Sequence, residues 1–125
     1  MLVEDLDGNP VRVSDYRGKV VVVNFWAIWC PPCRVEMPDL DAVYRQYRDR
    51  GVVILAVNVS ESSADIQAFA QKLGLSLPML RPSVTYRIEA LPTTFFIDRQ
   101  GQVRRRQVGA MSKSFMVQQV EALLQ

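Results

Sequence analysis

The sequence predicts an α/β fold in which helices pack on a mixed central sheet. Two apolar runs, residues 20–27 and 52–59, each give way to a segment whose apolar residues recur at helical spacing. A third run, residues 93–98, leads through a tight-turn sequence into another β-rich stretch. Strands alternating with helices make parallel neighbours, and a closing hairpin makes the sheet mixed. A length of 125 residues fits a single domain spanning residues 1–125, and 49% hydrophobic residues suffice to fill one core.

Each element has its own signal. Residues 4–19 are polar and carry Asp7-Gly8-Asn9-Pro10, a turn sequence with short strands expected on either side. Residues 20–27 contain one polar member, Asn24, the pattern of a strand buried on both faces. Met37, Leu40, Val43, Tyr44 and Tyr47 then share one helical face as far as Gly51. Pro38 lies inside that helix, where it removes one backbone hydrogen bond and bends the axis. Residues 52–59 are a second buried strand. Ser62 and Asp65 form a capping-box pattern for a helix with Ile66, Phe69, Ala70 and Leu73 on one face, and Gly74 ends it. Residues 93–98 are the third strand, and Arg99-Gln100-Gly101 turns it into residues 102–108, its antiparallel partner. Arg104-Arg105-Arg106 in that partner reads as a solvated edge strand guarded by charge, in preference to a patch for acidic partners. Ser112 caps a last helix with Met116, Val120, Leu123 and Leu124 inward.

Composition excludes several functions. A net charge of +2 is too small to point to nucleic acid. No apolar run approaches the roughly 18 residues of a membrane span. Met1-Leu2-Val3 runs straight into Glu4 and Asp5, which is not a signal-peptide pattern. The expectation is therefore a cytosolic protein, or an exported one whose signal or membrane anchor lies outside this sequence. The chain has no histidine, the commonest general base and metal ligand. Two cysteines alone do not make a four-ligand zinc site. No metal and no cofactor is expected.

The chemistry centres on Trp29-Cys30-Pro31-Pro32-Cys33. These are the only two cysteines, placed between a buried strand and a helix start. A helix N-terminus stabilises a thiolate at the earlier sulfur, so Cys30 is the expected attacking thiol and Cys33 the resolving one. A staple closing so short a loop would restrict the unfolded chain little, which favours a redox role over a structural one. Pro31 and Pro32 remove two N–H groups that would otherwise face the sulfur, which favours a reductant. Glu36, one turn after Cys33, reads equally well as the proton acceptor for Cys33 and as an early-turn glutamate favoured by the helix dipole. Trp26 is expected in the core and Trp29 as an apolar lip for partners.

Phe25-Trp26-Ala27-Ile28-Trp29-Cys30-Pro31-Pro32-Cys33-Arg34-Val35-Glu36-Met37-Pro38 resembles the active-site segment of thioredoxin-like proteins. It is most similar to the bacterial extracytoplasmic branch that includes the TlpA and ResA proteins and the reductants of cytochrome c maturation. Leu91-Pro92-Thr93-Thr94-Phe95-Phe96-Ile97-Asp98 resembles that family's second signature, about 60 residues on, and the likeness covers residues 4–124. It implies a thioredoxin fold with an N-terminal hairpin and an inserted strand–helix unit. It implies an exposed Cys30, a cis Pro92 facing the cysteines, and Leu91 as a backbone edge for an extended substrate, with Trp29, Pro31 and Pro32 around it. Asn24 stands where other thioredoxins place a buried acid, and is expected as a satisfied core amide. The stretch 81–84 is shorter than the family's, and Arg87 and Ala90 replace common glycines, so the substrate groove has its own shape.

The expected function is thiol–disulfide exchange between a monomeric protein and a disulfide-containing partner protein, recharged by an upstream dithiol donor. The alternatives are a thioredoxin-fold metallochaperone or binding module, which would need a further soft ligand such as Met37 or Met79, and a peroxiredoxin-like peroxidase.

Overall fold

The computed structural model describes residues 1–125. Seven strands form one sheet: β1 (Leu2–Asp5), β2 (Pro10–Arg12), β3 (Val20–Trp26), β4 (Val52–Asn58), β5 (Met79–Pro82), β6 (Thr93–Ile97) and β7 (Val103–Val108). Their order is β2-β1-β5-β4-β3-β6-β7. Three helices complete the fold: α1 (Pro31–Tyr47), α2 (Ser63–Leu73) and α3 (Lys113–Leu124). β3 and β4 run parallel, while β6 and β7 are antiparallel to their neighbours. This is the mixed sheet of the thioredoxin fold, extended by the N-terminal hairpin.

One strand is not expected from sequence. Residues 75–92 carry no period, yet Met79–Pro82 forms β5. It pairs parallel with β4 at Ala56 and Val57 and antiparallel with β1 at Val3, Glu4 and Asp5. The hairpin thus joins the sheet through β5 alone. The strand is four residues long, with Pro78 before it and Pro82 at its end, so it is too short to show alternation.

All seven residues of β3 are buried, which is why the strand reads as an unbroken apolar run. Val20, Val22 and Trp26 face the larger core cluster, with Met37, Leu40, Val43 and Tyr47 of α1, Ile66 of α2, and Met116 and Val120 of α3. Val21, Val23 and Phe25 face a smaller cluster with Val3, Val13, Leu55, Val57, Leu80 and Ile97. The three helices therefore cover one face. The other is covered by a 3-10 turn, Val13–Tyr16, and by Tyr86, Ile88 and Leu91. Burying a large apolar side chain contributes about 1.5–3 kcal/mol, so the core outweighs any surface ion pair.

Helix ends follow the sequence signals. Ser62 Oγ accepts from the Asp65 N–H at 3.2 Å, and Ser112 Oγ from the Phe115 N–H at 3.1 Å. Each such cap contributes about 1 kcal/mol. Gly74, at φ 65°, provides the left-handed residue that ends α2. In β7 the three arginines are exposed at the sheet edge, with Arg105 stacked 4.9 Å over Phe115 and Arg104 paired to Asp98 at 3.4 Å.

Candidate active site

β3 ends at Trp26 and α1 begins at Pro31, so the intervening turn delivers Cys30 to the helix N-terminus. Cys30 is the cap residue, with extended backbone, and its Sγ accepts from the Cys33 N–H at 3.4 Å. Pro31 and Pro32 take the first two helical positions, where a fixed φ suits the helix and a missing N–H costs nothing. The Cys33 N–H is thus the first amide aimed at the sulfur, assisted by the positive end of the helix dipole. Cys30 and Cys33 form a disulfide with Cα atoms 5.3 Å apart, within the ordinary range.

The exposed Cys30 that the resemblance implies is not found: both cysteines are buried, and the contrast between them is narrow. Cys30 is 4% exposed and Cys33 1%. Leu91 covers the pair from the opposite side: its carbonyl oxygen lies 3.7 Å from Cys30 Sγ, and the Leu91–Pro92 bond is cis. Trp26 is fully buried against Phe69, with ring centroids 5.3 Å apart. Trp29 is 62% exposed, and its indole N–H donates to Ser60 Oγ at 2.9 Å.

Glu36 is not a surface glutamate. It is 2% exposed and lies under the helix, where Oε2 accepts from the Met111 N–H at 2.7 Å and Oε1 from Asn24 Nδ2 at 2.9 Å. Burial pushes its carboxyl above the usual range, the two hydrogen bonds pull it back, and Asp39 adds to the rise. The net effect is a buried acid that takes up a proton more readily than a free one. Asn24 is only partly satisfied: Nδ2 also donates to Thr94 Oγ1 at 2.9 Å, but buried Oδ1 has no partner.

Two residues escaped the sequence analysis. Asn58, buried at the end of β4, and Glu61, just before α2, build a turn beside the Cys30 segment. A polar residue closing an otherwise apolar strand, three residues before a glutamate, was the available signal. Nowhere do three or more His, Cys, Asp or Glu side chains gather as a metal site would require.

The AhpC/TSA family model matches residues 1–106. The thiol-disulfide oxidoreductase ResA of Geobacillus thermodenitrificans is 40% identical over 127 residues, covering 98% of this chain and 73% of that protein. ResA of Bacillus subtilis is 35% identical over 120 residues, covering 92% and 67%. The crystal structure of a thiol:disulfide interchange protein from Chlorobium tepidum is similar at a TM-score of 0.88 and 29% identity, over all of this chain and 93% of that one. The pneumococcal exposed lipoprotein thioredoxin of Streptococcus pneumoniae is similar at a TM-score of 0.80 and 32% identity, over 98% of both chains. The chain therefore belongs to the AhpC/TSA family as a thioredoxin-fold thiol–disulfide oxidoreductase, with its redox pair at the head of α1.

Proposed function

We propose that the protein is a reductant that opens disulfides in partner proteins outside the cytoplasm and is recharged by an upstream dithiol protein. The observation that carries the direction is the cap at Cys30. Of the first three helical positions only Cys33 has an N–H, and it meets Sγ at 3.4 Å. A thiolate held by one amide is less stabilised than one held by several, so the dithiol gives up its electrons more readily.

The Cys30 thiolate attacks one sulfur of the partner's disulfide, forming a mixed disulfide and releasing the other sulfur as a thiolate. Cys33 loses its proton and attacks Cys30 Sγ. The Cys30–Cys33 disulfide forms and the partner leaves as a dithiol. Two electrons pass to the partner, and the upstream dithiol returns them by the reverse exchange. Glu36, one turn below Cys33 and with raised proton affinity, is the proposed proton acceptor. Trp29 is the proposed lip for the partner. The backbone at Leu91, with Pro92 beside it, is the proposed docking edge, flanked by Pro31 and Pro32.

The action outside the cytoplasm is supported by the pneumococcal relative, an exposed lipoprotein. The likeness to reductants of cytochrome c maturation makes an apocytochrome cysteine pair the first substrate to test.

Equilibration with glutathione redox buffers tests the direction. A potential near about −270 mV is expected, and one near about −120 mV would make the protein an oxidant. Stopped-flow turnover tests the acceptor: Glu36→Gln should slow resolution of the mixed disulfide about 10- to 100-fold while sparing the first attack. Equal resolution rates across the neutral range would assign that proton to solvent.

A further inference from the structure

We propose that Asn58 and Glu61 are positioning residues for the exchange, because the turn they build at the end of β4 holds the peptide that carries Cys30. This rests on the reading of Cys30 as the attacking sulfur.

Residues 27–29 belong to no strand or helix, yet they set where Cys30 meets α1. The turn at 58–61 holds them at successive points. The Val59 N–H donates to the Trp26 carbonyl at 3.0 Å. Ser60 Oγ accepts from the Trp29 indole at 2.9 Å. Glu61 Oε1 accepts from the Ile28 N–H at 2.9 Å. On the other side of the same residue, Arg34 Nη1 donates to the Ile28 carbonyl at 2.6 Å. Ile28 is therefore clamped at both its N–H and its C=O, each time by a charged side chain. Charge-assisted hydrogen bonds are the stronger kind.

Asn58 makes the clamp rigid. It pairs with Trp26 across the parallel ladder and is fully buried. Its Oδ1 accepts from the Ser60 and Glu61 N–H groups at 2.9 and 2.8 Å, which fixes the turn. Its Nδ2 donates to Glu61 Oε1 at 2.8 Å, which aims that oxygen at Ile28. None of these groups bonds either sulfur. Their effect passes through the Ile28–Trp29 backbone to the Cys30 sulfur and its single amide donor. A displacement of order 1 Å at a reacting atom can cost up to about 100-fold in rate.

The test uses the full chain, reduced, with iodoacetamide as probe and the labelled peptide identified by mass across a pH series. Glu61→Ala leaves the half-buried Ile28 N–H without its acceptor. Its Cys30 alkylation at neutral pH should fall about fivefold, with the pH profile displaced upward. Glu61→Gln keeps an acceptor oxygen and should stay within about twofold of the parent. Glu61→Asp, which keeps the charge on a shorter side chain drawn back from Ile28, should lose at least twofold and serves if the alanine variant unfolds. A purely structural role would lower the melting temperature and leave the pH profile unmoved. A folded Glu61→Ala or Glu61→Asp with the parental profile overturns the proposal, as does Glu61→Gln impaired as far as alanine. Labelling of Cys33 ahead of Cys30 in the parent protein would instead reject the underlying assignment of the attacking sulfur, and it is read before any variant is compared.

Discussion

The two faces of the central sheet are built from the same strands but covered differently. One carries all three helices, and Cys30, Cys33 and Met37 belong to its core cluster. The other is covered by a 3-10 turn and an irregular stretch that includes Tyr86, Ile88 and Leu91. Sulfurs that must meet in a fixed geometry lie on the regular, tightly covered face. The group set against them, Leu91, comes from the irregular side and packs against both clusters. Regular structure holds the sulfurs, and irregular structure supplies the residue set against them.

The largest effects expected from perturbing this arrangement are chemical. Cys30→Ser should abolish insulin reduction, and Cys33→Ser should accumulate mixed disulfides through Cys30, visible on non-reducing gels. If Cys30→Ser were the variant that trapped partners, the order of attack on the helix face would be reversed.

A pair of neighbours on β6 sharpens the contrast in stability. Phe96 packs into the helix-covered cluster at 1% exposed, whereas Phe95 is a half-buried flank of the other cluster. Phe96→Ala should cost about 3–5 kcal/mol in urea unfolding. Phe95→Ala should cost about half as much, since less of its ring leaves water. Equal losses would mean that the irregular cover packs as well as the helices do.

The smallest signal is a slope. Glu36 binds its proton more tightly in the folded protein than in the unfolded one. The folded state therefore holds more protons between the two values. The stability it contributes is fully present below the unfolded carboxyl value of about 4.3, and is lost as pH rises through the raised folded value. Glu36→Gln should remove that loss. Parallel stability curves for the two proteins over this range would show that Glu36 titrates as it does in water.

The same division decided what could be read from sequence. Helices announce themselves by period: Met37, Leu40, Val43 and Tyr47 locate α1, and all four lie in the core. The redox pair was legible because a cysteine spacing, a strand end and a helix start coincide at Cys30. β5 was not, because a four-residue strand preceded by one proline and ended by another has no room for a pattern. Burial of Glu36 was hidden for another reason. A glutamate early in a helix reads the same from sequence whether wet or dry, and only the loop that brings in Met111 and the strand that brings in Asn24 make it dry. The Asn58–Glu61 turn joins residues that are local in sequence to a peptide some thirty positions earlier, a contact that no local signal reports.

The two ends of the sheet bear on how a partner approaches. β2 is three residues long and opens on Pro10, and β7 presents three arginines and a register break opposite Phe96 and Ile97. Neither end is a good template for an added strand. An extended segment diffusing over the molecule finds both borders closed to lengthwise pairing, and the borders so act as a filter on encounters. Edges that make poor templates for a second copy of the chain are, for the same reason, poor places for an extended substrate to settle where no sulfur is within reach.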